Sequence, residues 1–371
     1  MLFDRHSLVV VVGSGGVGKT TLAAALGVQA ADSGLDTLVM TFDPSFRLKD
    51  ALGVGDAVQD REVRVSLDAP GVLAASLLDA RETFDRLVRR YAPDEAAARR
   101  ILDNRFYQHL AGNLAGILEY MAVERLFEVA AEDRYDLIVL DTPPTRQALD
   151  FLQAPDRIVG FLDSGALGLA LRPWFDAQGR LKATARLGGL GHRVEVFLDR
   201  VIGLDLLREM AEFFQAFAPL YEGFRERATN VQALLGAPET TFVLVAGPGE
   251  ERIPETLFFA RRLGEAGHHL GSLIVNMVHP RGTAPVTDMD EETAAGVRVF
   301  AWLGERDAQG LAALDTLLAP SQPLIDLPLL PDEPTDIPAL RALGHIVGAK
   351  LAGSFREADR HEGRDLRARA R

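Results

Sequence analysis

The sequence predicts an α/β fold in which a mostly parallel, doubly wound sheet carries a helical subdomain as an insert. Three features indicate this. Short apolar runs alternate with stretches of helical periodicity, the first run leads through a glycine-rich turn into a helix, and residues 156–236 contain no strand pattern. Strands that alternate with helices form parallel sheets with helices packed on both faces.

The first predicted strand is residues 8–12, where a leucine and valine run is typical of a parallel strand buried on both faces. The later predicted strands are residues 35–42, 136–140, 241–246, 271–275 and 324–327. Helical spacing of apolar residues predicts helices within residues 72–134, 194–235, 255–263 and 339–351. Ligands of such sheets bind at the carboxyl ends of the strands, so residues that follow a strand are candidates for a site.

The loop after the first strand has the spacing of a phosphate-binding loop, Gly-x-x-x-x-Gly-Lys-[Ser/Thr], and predicts a P-loop NTPase fold. Glycines let backbone N–H groups approach phosphate oxygens, and the start of the next helix directs its positive dipole end at the same anion. The lysine supplies charge for the β- and γ-phosphates, and the threonine hydroxyl can ligate Mg²⁺. The predicted nucleotide contacts here are Gly13, Ser14, Gly15, Gly16, Val17, Gly18, Lys19, Thr20 and Thr21. The alternative, a glycine-rich turn without a ligand, is disfavoured because both spacing and context match.

Length and composition exclude several classes of protein. The chain has 371 residues, 47% of them hydrophobic, and a formal net charge of −13. The length allows about two or three domains, and the acidic charge argues against nucleic acid as a main partner. The absence of cysteine excludes disulfides, thiol catalysis and cysteine-ligated zinc. No apolar run approaches the roughly 20 residues of a membrane span, and the phosphate loop begins too early for a signal peptide. We therefore expect a cytoplasmic location, with peripheral membrane association as a further option, and no metal beyond Mg²⁺.

The predicted domains are discontinuous. Residues 1–155 and 237–353 form the nucleotide-binding domain, residues 156–236 the helical insert, and residues 354–371 a charged, flexible tail. An aromatic stripe at helical spacing runs through residues 210–224 of the insert. With the apolar residues 158–171 it could line a groove for a hydrophobic helix of a protein client. The alternative, which is the commoner outcome for such a stripe, is that these side chains pack on one another as a core.

Three polar residues follow predicted strands: Asp43, Asp141 and Asn276. A carboxylate near a γ-phosphate can orient a water molecule for in-line attack, and a strand-end carboxylate can support Mg²⁺. A side-chain amide can pair with adenine. Each residue also has a structural alternative, because Asp43 could cap a helix and Asp141 and Asn276 could be ordinary turn residues.

Three motifs together resemble those of the arsenite-pump ATPase family, which includes the ATPase that targets tail-anchored membrane proteins. The motifs are residues 13–21, residues 41–44 (Thr-Phe-Asp-Pro) and residues 141–145 (Asp-Thr-Pro-Pro-Thr). The order of the strands, the helical insert and the late asparagine extend the resemblance over nearly the whole chain. The chain is similar to a divergent, bacterial member of that family.

The resemblance implies a role for each matching residue. In the family, the aspartate of the first switch positions the attacking water, and that of the second holds the Mg²⁺ shell through water. A late asparagine contacts adenine, and a proline-rich loop closes over the base. The implied catalytic residues are Asp43 and Lys19, the implied Mg²⁺ residues Thr20 and Asp141, and the implied adenine contacts Asn276, Pro328 and Leu330.

The chain also departs from the family pattern. Family members carry a lysine where Ser14 stands, and that lysine reaches across a dimer to the partner subunit's phosphates, as an arginine finger does. Three explanations would account for the missing lysine. They are slow turnover, another cation such as Arg47 in its role, or a lysine donated by a partner subunit. The expected assembly is therefore a homodimer or a heterodimer with a related ATPase. The cysteines that sense arsenite in the family are absent, which argues against an arsenite role.

The sequence supports two functional hypotheses. The first is a Mg²⁺-dependent ATPase, with ATP and Mg²⁺ bound together, whose nucleotide state opens and closes a dimer and acts on a protein client or partner. The second is an ATP-binding subunit that hydrolyses weakly, as part of a heterodimer or a scaffold, and Ser14 motivates it. A metabolic kinase is disfavoured because no acceptor-substrate motif is recognisable.

Overall fold

A computed structural model describes residues 2–42, 47–54, 61–108, 117–143, 148, 152–155, 160, 209, 212–213, 216–282, 289–318 and 322–369. The chain clusters into two compact units. The sheet unit contains Met1–Leu78, Val129–Leu149 and Leu234–Arg371, and the helical unit contains Asp79–Glu128 and Asp150–Ala233. These units differ from the predicted domains mainly because Asp79–Glu128 clusters with the helical unit instead of the nucleotide-binding domain.

The sheet unit is built on eight strands in the order β3-β4-β2-β5-β1-β6-β7-β8. The strands are β1 (Leu8–Gly13), β2 (Thr37–Thr41), β3 (Val63–Arg64), β4 (Leu73–Leu77), β5 (Leu137–Asp141), β6 (Thr240–Ala246), β7 (Leu270–Val278) and β8 (Leu324–Pro328). All neighbours pair in parallel except β3, which runs antiparallel to β4 at one edge. The predicted α/β fold with a mostly parallel sheet is confirmed.

The helices of the sheet unit are α1 (Lys19–Asp32), α2 (Arg47–Leu52), α7 (Ile253–Glu265), α8 (Glu291–Leu317) and α9 (Ile337–Arg369). The labels follow chain order, and α3 to α6 are the helices of the helical unit described below. All six residues of the central strand β1 are buried, as its β-branched run requires. Helix α9 packs closely on α1, because a Cβ added to Gly344 would lie only 2.7 Å from the carbonyl oxygen of Ala25. The glycine-rich loop therefore connects two buried elements, β1 and α1.

Two predicted elements need correction, and one long helix was not predicted. Residues 72–134 are not helical throughout, because Leu73–Leu77 forms β4 and pairs with β2 over five residues. The predicted strand 271–275 continues to Val278, so Asn276 lies within β7 and not after it. The 27-residue helix α8 was not predicted.

The helical unit holds α3 (Ala80–Tyr91), α4 (Glu95–Leu102) and most of α5 (Ile117–Ala131) and α6 (Tyr221–Leu235). Its core is rich in aromatic side chains, and the buried ones include Phe84, Tyr107, Phe213, Phe217 and Phe224. The described part of the predicted stripe is therefore core and does not line a groove. The other candidate groove residues, 158–171 and Met210, lie outside the described residues.

A buried ion pair joins α5 to α6 in the helical unit. The guanidinium of Arg227 donates to the carboxylate of Glu124, which is fully buried, and Arg227 itself is 9% exposed. The guanidinium also lies over the ring of Phe127, with 4.4 Å between its central carbon and the ring centroid. This pair therefore holds its charges away from water.

The predicted charged tail is helical as far as residue 369, since α9 runs from Ile337 to Arg369. Within the described part of the chain, no helix combines the length and apolar character needed to cross a membrane.

Candidate nucleotide site

The loop between β1 and α1 has a backbone that requires glycine. Gly13 has a φ of 151°, and a Cβ there would lie 2.0 Å from the carbonyl oxygen of Val245 on β6. Gly18 has a φ of 85°, and its Cβ would lie 2.5 Å from Nδ2 of Asn276. No side chain caps the start of α1 at Gly18. The N-terminus of this helix therefore presents its backbone N–H groups as an anion site does.

Lys19 is the cation of this loop. Its side chain is largely buried, with the whole residue 7% exposed, and Nζ donates to the backbone carbonyl oxygen of Ser14 at 2.8 Å. A lysine held across its own loop in this way is placed beside any phosphate that the loop's N–H groups bind.

The ends of β2 and β5 place a carboxylate beside the start of α1. Oδ2 of Asp141 accepts hydrogen bonds from the hydroxyl of Thr20 at 2.7 Å and from that of Thr41 at 2.9 Å. Asp141 is 1% exposed, and Thr41 is its register partner in the sheet. A hydroxyl that donates its proton to a carboxylate presents its oxygen lone pairs to a cation. Thr20 and Asp141 therefore fit Mg²⁺, with the hydroxyl as ligand and the carboxylate behind it.

A cavity of about 790 Å³ opens over the loop, which is within the size range of nucleotide-sized ligand pockets. One part of its lining is Gly15, Gly16, Gly18, Lys19, Thr20, Thr21 and Thr142. Another part is Asn276, Met277, Pro328, Leu329, Leu330, Asp332, Glu333, Pro334 and Thr335. The cavity thus combines a polar, cationic phosphate end with a second wall from β7, β8 and the segment after β8, where a base could lie.

Asn276 joins these two parts of the cavity. It is 8% exposed, and its Nδ2 donates to the carbonyl oxygen of Val17 at 2.9 Å. Because a carbonyl can only accept, the amide nitrogen must face Val17 and the amide oxygen remains as the acceptor for a base amino group. Because Asn276 lies within β7, it is not the ordinary turn residue that the sequence left open as an alternative.

The phosphate loop lies within the part of the chain that matches a known protein family. Residues 6–169 match the model of the anion-transporting ATPases. The match covers less than half of the chain and shows its similarity to that family. The matched segment contains the phosphate loop and Asp141, whereas the wall around Asn276 and Pro328 lies beyond it.

Several curated proteins to which this chain is similar are named ATPases. A protein of Halobacterium salinarum named as an arsenical pump-driving ATPase is 27% identical over 300 residues, which cover 78% of this chain and 42% of that protein. ATPase GET3 of Zygosaccharomyces rouxii is 28% identical over 240 residues, covering 59% of this chain and 67% of the relative. ATPase GET3A of Arabidopsis thaliana is 26% identical over 347 residues, covering 93% and 85%. The chain thus spans less than half of the Halobacterium protein.

Part of the predicted nucleotide site lies outside the described residues. Asp43 and the second-switch residues 144–147 belong to that part, as does the side chain of Arg47. The structure adds residues to which the sequence analysis gave no role in the site. Thr41 supports Asp141, and Met277 lines the cavity beside Asn276.

Replacing Gly13 with alanine is expected to lower the free energy of unfolding by about 2–3 kcal/mol, because the new methyl overpacks against the backbone of β6. Gly264 in α7 is the matched control, because a Cβ there would meet nothing within 4 Å. Gly264→Ala should raise stability by about 0.5–1 kcal/mol, since glycine is costly in a helix. Native-state hydrogen exchange of peptides from β1 and α7 measures both effects within the sheet unit. Equal stabilities for the Gly13→Ala variant and the native chain would contradict the described loop.

Proposed function

We propose that this chain is a Mg²⁺-dependent ATPase whose nucleotide state drives a change in a dimer that acts on a protein client or partner. The observation that carries the proposal is the cavity of about 790 Å³ over the loop, lined by Lys19 and by Thr20, whose hydroxyl is bonded to Asp141. These residues supply the charge, the hydroxyl ligand and the carboxylate that phosphoryl transfer from MgATP requires.

The proposed chemistry assigns a task to each group of the chain. The N–H groups of the loop and Lys19 bind the phosphates and hold them in line for attack. Thr20 and Asp141 hold Mg²⁺, which when bound neutralises charge that develops on the phosphate oxygens. Asp43 orients the attacking water as a general base. Asn276, Pro328 and Leu330 contact the adenine.

The proposed switch depends on the γ-phosphate. Segments after β2 and β5 would be ordered by contacts to it and released by hydrolysis, as in other nucleotide switches. The resemblance to the family that includes the ATPase for tail-anchored membrane proteins motivates a dimer and a hydrophobic protein client. Because the described aromatic stripe is core, residues 158–171 remain the proposed client contact. The proposed location is the cytoplasm, with peripheral contact to a membrane. The lack of cysteine weighs against arsenite as the effector.

A second candidate function is an ATP-binding subunit that hydrolyses weakly and needs a related partner. Ser14 favours it, because it offers a neutral hydroxyl where a cation would be required to reach a partner's phosphates. Its backbone carbonyl already accepts from Lys19, so the loop itself is complete for binding.

Steady-state hydrolysis of MgATP by the native chain and by Ser14→Lys separates the two functions. If a missing intersubunit cation limits turnover, the lysine variant should hydrolyse ATP about 10–100 times faster, as expected for one charge-assisted contact at the transferred phosphate. Native mass spectrometry with and without a non-hydrolysable ATP analogue shows whether the nucleotide promotes a dimer. Equal turnover by both proteins would remove the second function, and no turnover by either, alone or with cell extract, would remove the first.

A further inference from the structure

Strand β7 carries an irregularity where it borders the nucleotide cavity. Val275 pairs with Asp326 of β8, but the next pair is Val278 with Pro328, so β7 contains one residue more than its partner. Met277 has a φ of 62°, a left-handed conformation that is uncommon for a residue with a long side chain. Such bulges occur beside active sites and redirect side chains.

The bulge explains how two consecutive side chains reach one cavity. In a regular strand, neighbouring side chains point to opposite faces of the sheet. Here Asn276 and Met277 both line the cavity. A Cβ added to Gly18 would lie 3.4 Å from Cε of Met277, so the thioether also borders the phosphate loop. The left-handed residue therefore adds an apolar, polarizable wall to the part of the cavity assigned to the base.

The conformation of the bulge is held at both of its ends. On the side of the phosphate loop, the amide of Asn276 donates to Val17. On the other side, the carbonyl oxygen of Val278 accepts from the backbone N–H of Leu329 at 2.8 Å, which ties the bulge to the segment after β8.

A buried carboxylate from α8 supplies the remaining anchor. Oδ2 of Asp307 accepts from the backbone N–H of His279 at 3.1 Å and hydrogen bonds to its ring Nδ1 at 2.7 Å. Asp307 is fully buried, and Arg306 donates to its other oxygen. Burial alone would raise the pKa of Asp307, but these hydrogen bonds outweigh it and hold the pKa below its ordinary value. Helix α8 is fixed closely beside this point, because a Cβ on Gly304 would lie 2.3 Å from the carbonyl oxygen of Pro280.

We propose that Asp307 is a positioning residue for base recognition: through His279 it holds the bulge that directs Asn276 and Met277 at the purine base of the bound nucleotide. This inference rests on the proposed function, since it concerns the base of the same nucleotide. Met277 is the specificity residue that touches the base, and Asp307 acts on the base only through the strand. The hydrogen bonds described for Asp307 go to His279 and Arg306 and not to the phosphate loop, so we expect phosphate binding to be independent of Asp307.

The test compares two probes, MgATP and inorganic tripolyphosphate with Mg²⁺, whose binding to the whole chain is measured by isothermal titration calorimetry. Asp307→Asn keeps the volume of the side chain but removes its charge, and it sets an amide NH₂ group either against both His279 donors or against Arg306. Its MgATP affinity should fall about tenfold, the scale of losing a hydrogen bond to a charged group, while its tripolyphosphate affinity stays unchanged. Asp315→Asn removes the same charge from an exposed position of the same helix and should change neither affinity.

Met277→Gly keeps the test decisive if Asp307→Asn does not fold. Glycine adopts the left-handed conformation without strain, so the thermal midpoint should rise while MgATP affinity falls several-fold and tripolyphosphate affinity does not. The control is Asp133→Gly, an exposed residue with a φ of 51° that does not line the cavity, where the midpoint should rise with no change in affinity.

Each result decides the inference. Loss of MgATP affinity alone in Asp307→Asn and Met277→Gly supports it. Native MgATP affinity in both variants, or equal loss for both probes, overturns the role in base recognition while the phosphate site stands. If the native chain binds tripolyphosphate as tightly as ATP, base recognition at this wall is wrong. If the native chain binds neither probe, the proposed function itself fails and the inference fails with it.

Discussion

Replacing Lys19 with alanine is expected to lower the rate of ATP hydrolysis by about 100- to 1000-fold, the usual cost of removing one preorganised donor from a transition state. The ammonium is buried beside the loop and is held by the carbonyl oxygen of Ser14, so no solvent cation replaces it in the same geometry. MgATP affinity should also fall about 10- to 100-fold, because charge-assisted hydrogen bonds to phosphate are lost. Phosphate release from purified protein and calorimetric titration measure the two effects.

The control for Lys19→Ala removes a cation elsewhere in the sheet unit. Arg261 on α7 is exposed and pairs with Glu265. Arg261→Ala should therefore keep both turnover and affinity within about twofold of the native values, as expected for an exposed ion pair. Native turnover by Lys19→Ala would mean that any hydrolysis observed does not occur at this loop.

Replacing Glu124 with alanine is expected to destabilise the helical unit by about 3–5 kcal/mol, the cost of leaving a buried charge without its partner. The guanidinium of Arg227 would remain between α5 and α6, and its contact with the ring of Phe127 would offset only part of the loss. Because the chain has two units, one global free energy of unfolding is not sufficient. Native-state hydrogen exchange of peptides from α5 and α6 measures the opening of this unit directly.

Two variants make the Glu124 result specific. The double replacement Glu124→Leu with Arg227→Met removes both charges and should recover most of the lost stability, since apolar pairs of similar volume replace buried ion pairs well. Glu95→Ala breaks the exposed pair with Arg99 on α4 and should cost only about 0.3–0.5 kcal/mol. If the double variant is as unstable as Glu124→Ala, the uncompensated charge is not the cause.

The phosphate end of the site was predictable because the residues that form it are neighbours in the sequence. Strand β1, the glycine loop and α1 are consecutive, and the residue types between Gly13 and Thr20 are dictated by backbone geometry and by the chemistry of the anion. The α/β class followed from the alternation of strands and helices. Asp141 was indicated by its place after a buried strand, and the structure brings it to Thr20.

Two elements of the sheet unit were missed because tertiary packing outweighed the local pattern. Strand β4 reads Leu-Ala-Ala-Ser-Leu, which lacks β-branched residues and spaces its leucines as a helix does, but pairing with β2 decides its conformation. Helix α8 contains Gly296, Gly304 and Gly310, which lower its helical propensity. Two of them are explained by close approach, Gly304 to Pro280 and Gly310 to Gly249.

The base end of the cavity could be predicted only in part. Asn276 was indicated by the resemblance, but Met277 had no signal, because a left-handed φ at methionine follows from the pairing of β7 with β8. The contact between His279 and Asp307 joins residues 28 positions apart, and it depends on a helix that the sequence did not predict. No spacing rule finds such a pair in one sequence.

A crystal structure of the chain with Mg²⁺ and a non-hydrolysable ATP analogue is the most direct test of the central claim. We expect the triphosphate in the loop from Gly13 to Thr20, Mg²⁺ on the hydroxyl of Thr20 with Asp141 behind it, and the base against Asn276 and Met277. An empty cavity at saturating analogue, or a nucleotide bound away from Lys19, would contradict the account.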